Sequence, residues 1–401
     1  MTELPRRRAC AISKRRSAKG FLSSLIIFFL CYYKAPIPQN ILNVIDAANL
    51  FKIIFATKIF LPAILIALFS FLVMISIGKK NLITDVDGIL VGNSHDVQIC
   101  TGCTVVTPIE GTIASADVRG GAPGTREVGA LNPYNLVDSV DSIVLSGGST
   151  WGLEAASSVA SFIGATGRGY KPSNFSKNVP MIPGAILYDL ANGGDKDWGT
   201  NPPYADLGVK AASNLSDQII LGNSGAGYGS MAGSLKGGLG SASFITSEGL
   251  QVGGLFAVNS YGSAVNEETG QFWAAIDEYK KEFGGRGAPK EASLNILGGT
   301  SAAGSLPKQN TTIGIIATNA KIEAKAAKRI AIMSHSGMSR AIRPIHSPVD
   351  GDVIFVLSTG TLKKELTLND INMIGELGAR VCSRSIARGI YEAESLSLIH
   401  I

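Results

Sequence analysis

Short apolar runs rich in β-branched residues recur along this 401-residue chain, and they restrict its fold more than any other feature. Ile89–Val91, Cys103–Val106, Ser142–Leu145, Ile219–Leu221, Gly254–Val258, Ile313–Ala317 and Val353–Leu357 are each punctuated by Gly, Asn, Asp or Pro, the pattern of buried strands. Helical periodicity separates some of them. Leu153–Ile163 follows a Gly-Gly-Ser-Thr turn, and Lys321–Ile342 sets Ile322, Ala326, Ile330 and Met333 along one face. Strands mixed with helices, without a repeat, predict one α/β or α+β domain from about residue 81 to the end. Apolar residues at 45% against 17% charged exclude a disordered chain. Asn266 to Asn310, rich in Gly and small residues, is the least structured stretch, and a loop that long inside a domain is usually functional or mobile.

Ahead of that domain the sequence changes character. Ile59–Gly78 (IFLPAILIALFSFLVMISIG) holds 20 residues without a charge, followed by Lys79 and Lys80. As a helix it covers the ~30 Å of a bilayer's hydrocarbon core. Residues 1–58 carry ten Lys and Arg against only Glu3 and Asp46. The expectation is a basic N-terminal segment (1–58), a transmembrane helix (59–78) anchoring the chain to a membrane, and a domain (81–401) outside the cytoplasm. A natural start near Met74 is the alternative, and it would leave the domain cytoplasmic. Because the formal charge of +5 belongs to the N-terminus, the body is slightly acidic and no nucleic-acid partner is expected.

Several motifs mimic chemistry. Gly147-Gly-Ser-Thr-Trp-Gly152 lacks the second glycine of a nucleophile elbow and reads as a strand-to-helix turn. Gly222-Asn-Ser-Gly-Ala-Gly-Tyr-Gly229 matches neither phosphate-loop pattern. Cys100 and Cys103 have redox spacing without support and read as two buried thiols. His95, His335, His346 and His400 show no metal spacing. No cofactor and no metal is expected.

Thr311, Asp350 and Asp352 remain. Asp350-Gly-Asp352 directly precedes an apolar run, and in extended chain residues i and i+2 face one side, so both carboxylates can project into one site. Two close carboxylates raise one another's pKa and can hold a proton between them; a turn before a strand is the plainer use of Asp-Gly. A threonine hydroxyl needs a group to take its proton, and a free α-amine with pKa near 7.7–8.0 does so well. That chemistry requires scission between Asn310 and Thr311, where a loop meets a strand.

The sequence resembles the self-processing L-aminopeptidase/D-esterase family, which includes β-aminopeptidases and 6-aminohexanoate (nylon) oligomer hydrolases. The resemblance rests on Asn81–Gly88 (NLITDVDG), Asp117–Glu127 (DVRGGAPGTRE), Leu145–Ser149, Leu235–Gly240 (LKGGLG), Ala257–Gly262 (AVNSYG), Asn310–Gly314 and Ala341–Asp352, in family order across residues 81–395. It implies a four-layer α/β/β/α sandwich similar to that of ornithine acetyltransferases, assembled as a homo-oligomer of processed protomers. It also implies self-cleavage between Asn310 and Thr311, with Thr311 as the new N-terminal nucleophile. By the same resemblance Asp350 and Asp352 orient its hydroxyl and amine, and Lys236 supplies positive charge near it. Asn259 positions the carbonyl or helps the oxyanion donors, and Tyr188 hydrogen-bonds in the pocket for a small peptide or amide substrate. Threonine with Asp-x-Asp resembles the nylon-oligomer branch, where the aminopeptidase branch has serine and Ser-x-Glu. An acyltransferase of the ornithine acetyltransferase type, or an uncut membrane-tethered binding protein without catalysis, are the alternative readings.

Overall fold

The computed structural model describes residues 74–136, 139–174, 177–290 and 310–396. In chain order the first strands are β1 (Ile75–Ser76), β2 (Ile89–Asp96), β3 (Thr101–Pro108), β4 (Thr112–Val118), β5 (Thr125–Arg126), β6 (Ser139–Val140) and β7 (Ile143–Ser146). Helix α1 (Leu153–Ala165), β8 (Gly184–Ile186) and α2 (Tyr204–Ser213) follow. Next come β9 (Met231–Ala232), β10 (Leu235–Lys236), β11 (Gly238–Thr246), β12 (Gln251–Asn259), β13 (Val265–Asn266) and β14 (Gln271–Phe272). The C-terminal part holds β15 (Thr311–Ala320), α3 (Ala324–Ala341), β16 (Val353–Leu362) and α4 (Leu368–Tyr391).

Two sheets carry most of these strands. One runs β1-β11-β12-β15-β16-β4-β6, the other β2-β3-β7-β8-β5. Neighbours are antiparallel except β15 with β16 and β7 with β8. The two-residue period of a strand explains the layering. Ile313, Ile315 and Ala317 of β15, with Val353, Phe355 and Leu357 of β16, point into a core shared with Val106, Ile143, Leu145 and Ala185 of the second sheet. The alternate residues Ile316, Ile354 and Val356 point the other way, onto Ile330 and Met338 of α3 and Val381 and Ile386 of α4. On the far side Cys103, Val105 and Val144 meet Val159 of α1 and Leu207 of α2. The order is therefore helices, sheet, sheet, helices. Strands covered on both faces are apolar at nearly every position, which is why β15 and β16 read as continuous runs.

Two expectations change. Ile219–Leu221 is not a strand: Ile220 is exposed, and only Gly222 pairs, through a single bridge to Leu239. The expected transmembrane helix falls mostly in residues 1–73, outside the described residues. Its last residues are described, and they are not helical. Ile75 and Ser76 pair antiparallel with Ile245 and Thr246 of β11, satisfying backbone groups at the sheet edge, so no span reaches Gly78. Among the described residues no helix is long and apolar enough to cross a membrane. Of the long loop, Val265–Asn266 and Gln271–Phe272 form a small hairpin and Trp273–Asp277 a 3-10 turn, whereas residues 291–309 lie outside the described residues.

Sequence reading misses α4. Its apolar residues are diluted by Gly, Ala and Ser, because the helix lies close on the sheet. A Cβ on Gly240 would sit 1.8 Å from the Ser385 carbonyl oxygen, so only glycine fits there.

Candidate active site

Thr311 opens β15, a central strand of the larger sheet, and is buried. On one side β12 pairs antiparallel, setting Asn259 opposite Thr311. On the other β16 runs parallel with Ile313 beside Val353, so the segment entering β16 lies alongside the residues entering β15. That register brings Asp350-Gly351-Asp352 against Asn310 and Thr311, and a bridge joins Asn310 to Asp350. The Thr311 hydroxyl donates to the Asn310 carbonyl and accepts the Gly351 N–H at 3.0 Å. Its oxygen is thus fixed beside the carbonyl of the preceding residue.

Both carboxylates are completely buried, and backbone amides around Thr311 satisfy them. Asp352 accepts from the Thr312 N–H at 2.8 Å, the His346 N–H at 3.1 Å and the His346 ring Nδ1 at 2.8 Å. Asp350 accepts from the Tyr261 N–H at 3.1 Å, the Ser347 N–H at 3.3 Å and the Ser347 hydroxyl at 2.5 Å. Burial, and then the charge of Asp352, push Asp350 up to about 6, against the pull of the Ser347 and Tyr261 donors. Neither carboxylate hydrogen-bonds Thr311 itself. In an unbroken chain that residue offers an amide N–H, so the amine that the pair was expected to orient is not there to be held.

The Asp117–Glu127 string braces this corner. Arg119 N–H donates to the Asp352 carbonyl at 2.9 Å and Ala122 N–H to the Asp350 carbonyl at 2.8 Å. Asp117 itself ion-pairs with Arg119 at 2.5 Å and Lys328 at 2.8 Å. Burial alone would raise its pKa, but the hydrogen bonds and charge of Lys328 and Arg119 outweigh that and hold it below the ordinary value.

Asn259, Lys236 and Tyr188 form a second, linked group. Asn259 Oδ1 accepts from Asn192 Nδ2 at 2.9 Å and the Met231 N–H at 2.8 Å, while its Nδ2 donates to the Tyr188 carbonyl at 2.8 Å. Lys236 donates to the carbonyls of Gly237 at 2.8 Å, Ser230 at 3.0 Å and Gly227 at 3.3 Å. The Ser230–Met231 peptide therefore accepts from Lys236 and donates to Asn259. Burial pulls the Lys236 ammonium down to about 8, although Cys100 and Asp189 oppose it. No hydrogen bond joins Lys236 to Thr311, and the Tyr188 hydroxyl has no hydrogen-bond partner among the described residues. Thr311, Asp350 and Asp352 are thus brought into one cluster. Asn259 reaches it by strand register, and Lys236 and Tyr188 only through Asn259.

Reading the residues alone passes over His346, Ser347 and the amides of Tyr261 and Gly351. The histidine lacks metal spacing, and a backbone amide has no sequence signature beyond its place in a turn. Two of the motif look-alikes are plain structure. Gly147–Gly152 is a turn from β7 through a 3-10 helix into α1, and Cys100 and Cys103 are buried and form no disulfide. Among the described residues no His, Cys, Asp and Glu grouping suits a metal.

This helix–sheet–sheet–helix sandwich recurs among solved structures, one of them described as a variant of the N-terminal-nucleophile hydrolase fold. Two solved structures share it. A β-aminopeptidase from Burkholderia sp. superposes with a TM-score of 0.59 at 18% identity, covering 81% of this chain and 90% of that one. The L-aminopeptidase D-Ala-esterase/amidase of Ochrobactrum anthropi, described as a new variant of that fold, gives 0.57 at 17% identity, covering 80% and 88%. The chain belongs to peptidase family S58, whose profile matches residues 81–400. An uncharacterized aminopeptidase of Mycobacterium tuberculosis is 39% identical over 79% of this chain and 95% of its own length. A 6-aminohexanoate-oligomer endohydrolase of Kocuria sp. is 28% identical over 73% of this chain and 79% of its own.

Proposed function

We propose that the chain cleaves itself between Asn310 and Thr311 and then hydrolyses amide bonds through an acyl-enzyme on Thr311. Family membership and the named activities of the relatives support the hydrolysis of peptide or amide C–N bonds. One observation carries the finer reading. The Thr311 oxygen lies between its own preceding carbonyl and the Gly351 N–H, at the head of a rigid strand.

In self-cleavage the Thr311 oxygen attacks the Asn310 carbonyl carbon, and the amide nitrogen leaves with a proton, giving an ester. Water then splits the ester into an Asn310 carboxylate and the Thr311 hydroxyl, and residue 311 keeps the amine freed in the first step. In turnover that amine takes the hydroxyl proton as the oxygen attacks the substrate carbonyl. The departing substrate amine carries the proton away, and water releases the acid. Asp350 and Asp352 orient the hydroxyl and the new amine. Asn259 has one amide proton beyond that given to Tyr188, and it supplies a donor for the oxyanion, a term worth about 3–4 kcal/mol where measured. Lys236 polarises the Ser230–Met231 peptide that holds Asn259 and lends positive charge to this side of the site. The Tyr188 hydroxyl, without a hydrogen-bond partner among the described residues, is offered to the substrate.

Identity is higher to the mycobacterial aminopeptidase, whereas Thr311 with Asp350-x-Asp352 matches the oligoamide branch, so both N-terminal amino acid amides and 6-aminohexanoate oligomers are candidate substrates. Incubation with both, alone and with amino acceptors, tests the class. Hydrolysis should exceed transfer to any acceptor. Transfer in excess of hydrolysis would favour an acyltransferase, and no release from either substrate would contradict the proposal.

Two further results are expected. In Gly351→Ala the added Cβ would lie 2.9 Å from the Thr311 hydroxyl and 2.7 Å from the Ala122 carbonyl oxygen. Displacing a reacting atom by about 1 Å costs roughly 10²-fold. The small chain should therefore appear more slowly on gels, and kcat should fall by about that factor.

The second concerns pH. Asp350 titrates higher folded than unfolded, so between about 4 and about 6 the folded protein binds more protons. Stability should fall as pH rises through that window. Asp350→Asn removes the cause, and its urea midpoint should vary less over the window and exceed that of the wild type above pH 6, while activity drops.

A further inference from the structure

His346 has no part in the mechanism above, yet among the described residues it is the one side chain that hydrogen-bonds Asp352. Its backbone N–H and ring Nδ1 both reach the same oxygen, Oδ2, at 3.1 and 2.8 Å. It does so with φ at 57°, a left-handed conformation uncommon for any residue with a side chain. Such a conformation, held where it aims two donors at one carboxylate oxygen, points to a function for the residue.

The remaining contacts isolate that pair. The His346 ring stands edge-on to His335, with centroids 4.9 Å apart. His335 Nε2 lies 3.1 Å from the Asp117 carbonyl, an acceptor, so Nε2 carries the proton and the buried Nδ1 is bare and unpartnered. Burial pulls His335 down to about 4, so it adds no charge beside His346 at neutral pH. The other ionisable groups around the pair are Asp350 on the same loop, Lys328 of α3, Asp117 of β4 with Arg119, and the buried Cys382 thiol of α4, which feels Asp352. Lys328 and Arg119 are engaged by Asp117. Among the described residues His346 is therefore the only group hydrogen-bonded to the carboxylate pair that can carry a positive charge.

We propose that His346 is a positioning residue that makes Asp352 the first of the two buried carboxylates to ionise, and Asp350 the second. Asp352 Oδ1 then stays fixed on the Thr312 N–H, next to the nitrogen that becomes the Thr311 amine. The pair is therefore unequal, with Asp352 held charged next to the position of the amine. This assignment rests on the Thr311 reading.

The test compares His346→Ala, which loses the ring donor and the charge, with His346→Asn, which retains an N–H donor but no charge. Loss of a donor or a positive charge disfavours the carboxylate, so the acid limb of the kcat–pH profile should move to higher pH. We expect about one unit in His346→Ala and less in His346→Asn, with KM changed less than twofold. A limb unmoved in both variants, or moved to lower pH, would overturn the proposal. The first would mark His346 as packing and the second would mark it as the titrating group itself.

A readout without catalysis separates this from the nucleophile assignment. In the Thr311→Ala background the Asp352 carboxyl carbon is followed by NMR against pH, with and without His346→Asn, a variant that keeps the local packing. Its apparent pKa should rise on substitution, and an unchanged titration would refute the His346 role even if Thr311 were the nucleophile. Conversely, a shifted titration in a protein whose wild-type form is never cut at Thr311 would leave the His346–Asp352 coupling standing and sink the mechanism it was meant to serve.

Discussion

Thr311→Ala should leave a single chain of 401 residues with no measurable amidase activity. Both losses have one cause. In the proposed mechanism the hydroxyl oxygen attacks the Asn310 carbonyl in the first event and the substrate carbonyl in the second, so removing it would stop the chain from exposing its amine and leave no atom to form the acyl-enzyme. Deleting the nucleophile of a comparable hydrolase costs about 10⁶-fold in kcat. The substitution should be tolerated by the fold. It removes the hydroxyl with its hydrogen bonds to Asn310 and from Gly351, and one methyl group, and leaves the strand's pairing with β12 and β16 intact. A circular dichroism spectrum and urea midpoint close to the wild type would show that lost activity is not lost structure. Thr311→Ser is the control, since it keeps the oxygen and should still be cut. If Thr311→Ala is cut at the same bond, or keeps its activity, another residue is the nucleophile.

The second large effect is on stability. Arg384 of α4 is fully buried, and its partners come from far along the chain. Its Nε donates to Glu282 Oε1 at 2.5 Å and its Nη2 to Glu282 Oε2 at 2.9 Å and Asn81 Oδ1 at 2.8 Å. Nη1 donates to the Ser243 carbonyl at 3.1 Å, and the guanidinium lies over the Phe244 ring at 4.4 Å. Arg388 adds hydrogen bonds to the Asn81 and Ser241 carbonyls. Glu282→Ala would leave Arg384 charged, buried and without its carboxylate, a change that typically costs 3–5 kcal/mol. At about 2–4 °C per kcal/mol, the melting temperature should fall by roughly 10 °C. Glu282→Gln, which retains hydrogen-bonding capacity but not the charge, should fall between.

The proposed cut gives this cluster a second consequence. Both arginines lie in residues 311–401, whereas Glu282, Asn81 and Ser243 lie in residues 1–310. The cluster would then hold two separate chains together, and Glu282→Ala should release the small chain at a lower urea concentration than the wild type, as gel filtration would reveal. A melting temperature within 2 °C of the wild type would show that water or another group reaches Arg384 and makes up the loss.

The parts of the fold legible in the sequence are those with a simple physical signature. The runs at Ile313–Ala317 and Val353–Leu357 mark β15 and β16 because strands covered on both faces are apolar throughout. Lys321–Ile342 anticipates α3 because one of its faces is polar. The run at Ile219–Leu221 misleads, since three apolar residues have no period and Ile220 faces solvent. Helix α4 is hidden by the small residues that let it approach the sheet.

The candidate site divides in the same way. Asp350-x-Asp352 ahead of a strand points to two carboxylates on one face, and both lie buried beside Thr311. Apart from the family resemblance, spacing and composition give no reason to join that pair to Thr311, 39 positions upstream, because the connection is the parallel register of two strands separated by α3. His346 is less visible still, because its partner is chosen by a backbone conformation. The Asp117–Glu127 string is conspicuous as a motif, yet its purpose is legible only when Arg119 and Ala122 are seen bonding the carbonyls of Asp352 and Asp350.

The central claim is that the working enzyme carries a free threonine amine. N-terminal sequencing and intact-mass measurement of active, purified protein test it most directly. Two chains should be found, the smaller beginning Thr-Thr-Ile-Gly at Thr311. Protein that hydrolyses amides at full rate with the Asn310–Thr311 bond unbroken would contradict the mechanism.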